Sequence, residues 1–393
     1  MRKSFQYLWI SQLFANLGDV FYIVGLISII YHSSESALLM ALLPFLNMVG
    51  RMISSSFAPL MFNRYRLKQL LVISQGIKTI LLLILVVGLI YTDSFIFVFI
   101  LVFFVALLDG LAQPAGTALI PRIVEKSKLL RANSILSIVN ETTQLAGWAL
   151  GGILVAVTNG NFIIWLTLVF YIISTLCMAF IIDRTPFERK ITVTKKQELS
   201  EGFRLIWDNR SFRSIHFMLV AESIANVVWV AAIMYIFVAN VLHVSEVWWG
   251  YINTVFFIGL VIGGFVCTKF EHIFIQHIKV IVLFTAFAVA LVMLVFGLNQ
   301  IAMMALLLSL LYGVFDQVKG IVLGTWLQVK ASDQELPKVY SAQGVITSLM
   351  FGLATLMAGA FANMMSVHWL FIGAGLLLLV SAVYFSLIQK RFE

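Results

Sequence analysis

Long apolar runs separated by short polar breaks dominate this chain. Twelve runs are long enough to be helices, near 6–31, 38–62, 70–91, 95–120, 133–158, 162–182, 214–242, 249–269, 280–298, 301–326, 342–363 and 367–388. About 20 predominantly apolar residues cross a bilayer core, so the pattern predicts twelve membrane-spanning helices. The polar positions inside these runs recur three or four apart, which puts them on single helix faces. Gln12, Asn16 and Asp19 form such a stripe on helix 1, and Asp109, Gln113 and Gly116 repeat the spacing on helix 4. Ser137, Glu141, Gln144 and Trp148, with Asn140 beside them, mark helix 5; Glu222, Asn226 and Trp229 mark helix 7; and Asp316 and Lys319, three apart and able to pair, mark helix 10. Helices 6, 9 and 12 carry no ionisable interior residue and are expected to face lipid, with 1, 4, 5, 7 and 10 around an aqueous cavity.

Composition agrees. The 393 residues are 61% hydrophobic and 11% charged, with a mean hydropathy of +1.01, whereas a soluble domain carries about 25% charged residues. The net charge of +8 is distributed by topology: 22 of the 26 Lys and Arg residues fall at the termini or in loops between even and odd helices, Lys269 ends helix 8 beside such a loop, and the odd-to-even loops hold none. The positive-inside rule then places both termini and the 183–213 loop in the cytoplasm. This charge reads as orientation and attraction to anionic membrane lipid, with no nucleic-acid partner. Arg2 and Lys3 ahead of an apolar run mimic a signal peptide, but that run contains Asp19 and is read as helix 1.

The hydrophilic stretch from Asp183 to Arg213 divides the chain into an N-terminal bundle, 1–182, a linker, 183–213, and a C-terminal bundle, 214–393. Lys195, Lys196, Glu198, Glu201 and Arg204 around Leu199, Phe203 and Trp207 suit an amphipathic surface helix; a plain linker is the alternative. Internal similarity at offsets of 206–207 sets Asp19 opposite Asn226 and Asp109 beside Asp316, as in a duplicated six-helix unit.

Five carboxylates (Asp19, Asp109, Glu141, Glu222 and Asp316) lie well inside apolar segments. A charge at bilayer depth costs at least ~2.5–3.5 kcal/mol on insertion scales and marks function or pairing. Asp19, Glu141, Glu222 and Asp109 are candidates for proton coupling or substrate binding. Gln12, Asn16, Gln113, Asn140, Gln144, Trp148, Asn226 and Trp229 are candidate cavity residues. Arg51, Asp316 and Lys319 are candidate gate or ion-pair residues. Arg51, near the middle of helix 2, needs a partner, with Asp19 the first choice and Glu141 the second. Lys78, eight residues into helix 3, is expected to snorkel or pair locally. Paired glycines at 147/151, 259/263 and 320/324 allow close helix approach. Cys177 and Cys267 suggest no disulfide or metal framework, and the six scattered histidines offer no metal or catalytic pattern, so neither enzyme activity nor a cofactor is expected.

Phe5, Leu8 and Trp9 with Gln12, Leu17, Gly18 and Asp19 resemble the first helix of the major facilitator superfamily, in its drug:proton antiporter branch that includes macrolide-efflux proteins and the enterobactin exporter. The stretch Gln113-Pro114-Ala115, Ala118-Leu119-Ile120-Pro121, and Leu129 with Ala132-Asn133-Ser134, carries the most specific likeness. The resemblance implies an all-α fold of two pseudo-symmetric six-helix bundles, expected as a monomer. In the helix 2–3 loop, Asn63, Arg64, Arg66 and Lys68 keep the family's basic residues, but Asn63 replaces the acid of its charge-relay latch and Pro59 its glycine. Gly147-Trp148-Ala149-Leu150-Gly151-Gly152 is similar to the antiporter motif, with Trp148 in place of proline. Early helix 4 lacks the arginine that many proton-coupled members carry.

No Gly-x-x-x-x-Gly-Lys-[Ser/Thr] loop occurs, so an ion gradient rather than ATP is the expected energy source. A carboxylate in a dehydrated cavity holds a proton more readily, and proton and substrate can then bias two alternating states. The leading expectation is a proton-coupled exporter of small amphiphilic or cationic molecules. A dedicated exporter of a metabolite such as a siderophore or staphylopine-like metallophore is the second reading, and a non-transporting membrane receptor is the reading from another class.

Overall fold

The computed structural model describes the chain except residues 1–2, 35–36, 92–93, 184, 186–193, 363–365 and 389–393. Arg2 and much of the linker therefore lie outside the described residues, as does the side chain of Lys196. Each of the twelve runs is helical, and no strand occurs among the described residues. The first six are α1 (Lys3–Ser34), α2 (Ala37–Phe62), α3 (Leu67–Tyr91), α4 (Phe95–Ile123), α5 (Leu129–Val157) and α6 (Gly160–Ala179). α7 (Lys195–Asp208) follows in the linker. The remaining elements are α8 (Arg210–Ala225), α9 (Ala231–Asn240), α10 (Val247–Lys269), the short α11 (Glu271–Gln276), α12 (Ile278–Leu298), α13 (Ala302–Lys330), α14 (Leu336–Ala362) and α15 (His368–Ile388). Among the described residues nine helices are long and apolar enough to cross a membrane, or ten if the bent 210–240 pair is one span.

The outer faces are as greasy as a lipid environment demands. On α3, Ile73, Ile77, Ile80, Ile84 and Val87 are exposed at helical spacing, while Ser74, Gln75 and Lys78 are buried on the other face. Water would penalise this arrangement; hydrocarbon permits it, because every backbone group is satisfied inside a helix. α6 likewise exposes Phe162, Trp165, Val169, Ile172 and Leu176.

The helices cluster into two compact units: Met1–Ala132, Val139–Phe203 and Ala331–Gly344 in one, and Asn133–Ile138, Arg204–Lys330 and Val345–Glu393 in the other. In the first, α1 packs on α6, and α4 on both α2 and α3. Small residues permit these approaches: a Cβ on Gly160 would meet Gly25 O at 2.6 Å, and one on Gly50 would meet Ala106 Cβ at 2.7 Å. In the second, α10 packs on α13, and α12 on α13 and α15; a Cβ on Gly259 would collide with Leu310 O. Of the glycine pairs singled out, 259/263 serves this close contact and 147/151 packs on Val20 and Val24, whereas nothing lies within 4 Å of a Cβ on Gly320 or Gly324. That last pair serves no close contact, because it looks into open space.

Helix 7 is not one continuous helix. α8 ends in a 3-10 turn, Asn226–Trp229, and Val230 is extended (ψ 137°). The parts on either side are bent by 53°. Neither Pro nor Gly occurs in 214–242. The turn instead coincides with Trp229, whose ring stacks on Phe256 and packs against Phe296, Tyr312 and Phe371.

The linker does contain a helix. On α7, Glu198, Gly202 and Ile206 form a buried face, while Phe203 and Trp207 are exposed. Gly202 lies so close to the Lys338 carbonyl that any side chain would collide, and Lys338 Nζ donates to Glu201 at 2.5 Å. Ser341, two turns from the start of α14, donates to Ser55 O on α2.

Candidate functional site

The stripes of the first unit converge on one ionic network. α1 brings Asp19, α2 Arg51, α3 Lys78 and α4 Asp109. Lys78, 1% exposed, donates to Asp19 Oδ1 at 2.8 Å and to Asp109 Oδ1 at 2.5 Å. Arg51 donates to Asp109 Oδ2 at 3.1 Å and lies 3.7 Å from Asp19 Oδ2. Asp19, the first choice from the sequence, is thus an ion-pair partner of Arg51, while the hydrogen-bonded partner is Asp109, because α2 packs along α4. Nor does Lys78 snorkel: its face of α3 turns inward against both aspartates, and the Tyr171 ring lies 4.7 Å from its ammonium.

Two aromatic hydroxyls complete the network. Tyr171 Oη donates to Asp19 Oδ1 at 2.5 Å, so helix 6 does more than face lipid. Asn47 Nδ2 donates to Tyr22 Oη at 2.7 Å. A readable signal for part of this was a polar stripe on α2, Asn47, Arg51 and Ser55 at spacings of four, with Ser55 Oγ donating to Gly110 O at 3.0 Å. For Tyr171 the corresponding signal was Thr167 and Ser174, four before and three after it, which share its buried face of α6. Hydrogen bonds to charged groups contribute about 1.5–3 kcal/mol. Tyr171→Phe, which also leaves Asp19 with one donor fewer, is expected to lower the thermal midpoint in detergent by several degrees; an unchanged midpoint would deny the bond any weight.

Glu141 stands apart from this network. Asn140 Nδ2 donates to Glu141 Oε1 at 3.0 Å, and Asn16 Nδ2 donates to Asn140 Oδ1 at 3.3 Å. The α1 stripe therefore divides, Asn16 turning to α5 and Asp19 to Lys78 on α3, Tyr171 on α6 and Arg51 on α2. Gln12 approaches Gly116 and Gln144 is half-buried, while Gln113 and Trp148 are exposed. In the helix 2–3 loop Asn63 is buried, with its amide nitrogen unpartnered, and Arg64 and Arg66 are exposed. Lys68 is half-buried.

The second unit holds a smaller cluster. Lys319 Nζ on α13 donates to Asp316 Oδ1 at 3.0 Å and lies 3.1 Å from Glu222 Oε2 on α8. One turn along α8, Asn226 Oδ1 accepts from Tyr312 Oη at 2.6 Å, and the Tyr312 ring lies 5.0 Å from Trp229. The predicted Asp316–Lys319 pair is present, and Glu222, Asn226 and Trp229 gather around it. Among the described residues no group of three or more His, Cys, Asp or Glu side chains is placed to hold a metal ion.

Acids held by basic side chains in the middle of helices with apolar outer faces are an arrangement of membrane carriers. The family model of the Major Facilitator Superfamily matches residues 8–331. The chain belongs to that superfamily. It is 29% identical over 397 residues to the uncharacterized MFS-type transporter YfmI of Bacillus subtilis (strain 168), covering 100% of this chain and 98% of that one. It is also 25% identical to the MFS-type transporter YjbB of the same organism, over 95% of this chain and 92% of that one. Among solved structures it resembles the human organic anion transporter MFSD10 (TM-score 0.80, 11% identity, 98% of this chain and 99% of that one). The E. coli fucose:proton symporter (TM-score 0.79, 12% identity, 98% and 99%) is similar to the same extent. So is a bacterial homologue of the iron transporter ferroportin in its outward-facing state (TM-score 0.77, 15% identity, 98% and 100%). These likenesses give the major facilitator fold. The protein is a multi-pass membrane transporter of small molecules, and not an enzyme.

Proposed function

We propose that this transporter is a proton-coupled exporter of small amphiphilic or cationic molecules, set in the bacterial cytoplasmic membrane with both termini in the cytoplasm and built from the duplicated halves 1–182 and 214–393. The observation that carries the reading is the pair of buried acid–base clusters, Asp19–Lys78–Asp109–Arg51 and Glu222–Lys319–Asp316, one in each unit. Such clusters are costly at bilayer depth unless they bind or exchange charge. The aromatic group of Trp229, Phe256 and Tyr312 beside the second cluster supplies apolar and π surface for an amphiphilic cation. Export rather than import is supported by the likeness of the first helix and of the 113–134 stretch to the drug:proton antiporters. The fucose:proton symporter shows that the same fold accommodates proton coupling.

One observation favours the dedicated-exporter reading. The Arg51 side chain is 39% exposed although its partner Asp109 is only 11% exposed, leaving part of a guanidinium open to a carboxylate-bearing cargo such as a metallophore. The two readings separate in cells lacking their own multidrug pumps. The first predicts lower ethidium accumulation on expression of the chain, with the difference abolished by a protonophore. Equal ethidium accumulation together with retention of one metallophore in a deletion strain would favour the second.

A further inference from the structure

The two buried clusters differ in formal charge and in how well their acids are satisfied. In the first unit two carboxylates, Asp19 and Asp109, meet two bases, Lys78 and Arg51. Each acid there accepts at least two hydrogen bonds, Asp19 from Lys78 and Tyr171, and Asp109 from Lys78 and Arg51. With all four groups charged the network is neutral and its acids have no call for a proton. In the second unit two carboxylates, Glu222 and Asp316, share one base. Lys319 donates its hydrogen bond to Asp316, its neighbour three residues back on α13. Glu222 Oε2 lies 3.1 Å from the same ammonium and close to Asp316, and among the described residues it accepts no aligned hydrogen bond.

A buried cluster carrying one negative charge too many is unstable in a low-dielectric setting, and it is relieved by binding one positive charge. We propose that Glu222 is the proton-carrying carboxylate of this transporter, and that the first-unit network keeps Asp19 and Asp109 ionised throughout. The proposal deepens the proton-coupled reading above and depends on it only for what the proton does in transport.

The surroundings single out Glu222. From α13 it is faced by Lys319, Asp316 and Tyr312; on its own chain segment Asn226 and Trp229 follow; and α15, which also packs on α8, brings Tyr384 against Phe217 and no Asp, Glu, Lys or Arg in its helix. Asp316 sits on the same helix as Lys319 and stays paired whatever α8 does. Glu222 lies on the other helix, one turn before the 226–230 break. A proton on Glu222 Oε2 leaves Lys319–Asp316 as a neutral pair and removes the charge contact between α8 and α13, with Tyr312–Asn226 as the remaining tie. Protonation thereby reaches the bend at which helix 7 changes direction.

The test is pH-difference infrared spectroscopy on the purified full-length chain in lipid nanodiscs. Above about pH 6 solvent-facing carboxylates remain ionised, so the band of a protonated carboxyl that grows between about pH 9 and pH 6 reports a buried acid. The wild type is expected to show it, Glu222→Gln to lose it and Asp19→Asn to keep it. Glu222→Asp is expected to shift the band without abolishing it, which keeps the assignment testable should the glutamine variant misfold. No band in the wild type, a band unchanged by both Glu222 substitutions, or one abolished by Asp19→Asn would overturn the proposal. A Glu222 band in a protein that moves no ethidium would sustain it and defeat the exporter reading instead.

Discussion

Lys78→Met is expected to leave little folded, active protein. Among the described residues, the ammonium it removes is the only group that donates to both Asp19 and Asp109, at 2.8 and 2.5 Å, and its side chain is 2% exposed. What remains among the described residues is two carboxylates facing the one base Arg51, 3.7 Å from one and 3.1 Å from the other. Removing one partner of a buried ion pair costs about 3–5 kcal/mol, because the other charge stays buried. Lys78→Arg would offer little relief, since a planar fork does not replace a point charge set between two acids. The thermal midpoint of the purified variant should fall sharply, and adding Asp19→Asn should recover much of the loss by restoring one acid to one base. That recovery is a double-mutant coupling, measurable as such. A single variant as stable as wild type would mean that Lys78 reaches water after all.

Gly110→Leu should have a comparably large effect for a steric reason. A Cβ on Gly110 would collide with the carbonyl oxygen of Arg51 and lie 2.9 Å from both Arg51 Cα and Ser54 Cβ. Two of those three atoms are backbone, so the strain cannot be relieved by a rotamer change and α2 must move off α4. Overpacking costs about 1–3 kcal/mol in ordinary cores. Here it also draws Arg51 away from Asp109 and breaks the bond from Ser55 to Gly110 O. Ethidium efflux from cells is expected to drop by about tenfold or more, in line with a loss of more than ~1.4 kcal/mol, with Gly110→Ala intermediate. Wild-type efflux in Gly110→Leu would show that the α2–α4 contact is dispensable.

Most of the fold was legible because hydrocarbon imposes a simple rule, about 20 apolar residues per crossing, and the chain obeys it with few interruptions. The break in helix 7 was not legible: 214–242 has neither Pro nor Gly, and the turn lies where Trp229 packs among aromatic side chains from four other helices. At the site, the Asp19 and Asp109 stripes and the Asp316–Lys319 spacing pointed to groups that do meet partners. For Lys78, expected to snorkel or pair, pairing is what occurs, and the sequence could not choose because depth along a helix says nothing about rotation around it. The exposed row Ile73, Ile77, Ile80, Ile84 and Val87 marks the lipid face of α3, and Lys78 lies opposite. Tyr171 went unread although Thr167 and Ser174 share its face of α6: hydroxyls there also serve backbone carbonyls, Ile163 O and Ser11 O, and the tyrosine becomes significant only once α6 is seen against α1.

Reconstituted transport bears most directly on proton coupling at these clusters. Ethidium flux into or out of proteoliposomes under an imposed pH gradient, for wild type and for Asp19→Asn, Glu141→Gln, Glu222→Gln and Asp316→Asn, should follow the sign of the gradient in the wild type and lose that dependence in Glu222→Gln. Wild-type gradient-driven flux in all four neutral variants would contradict it.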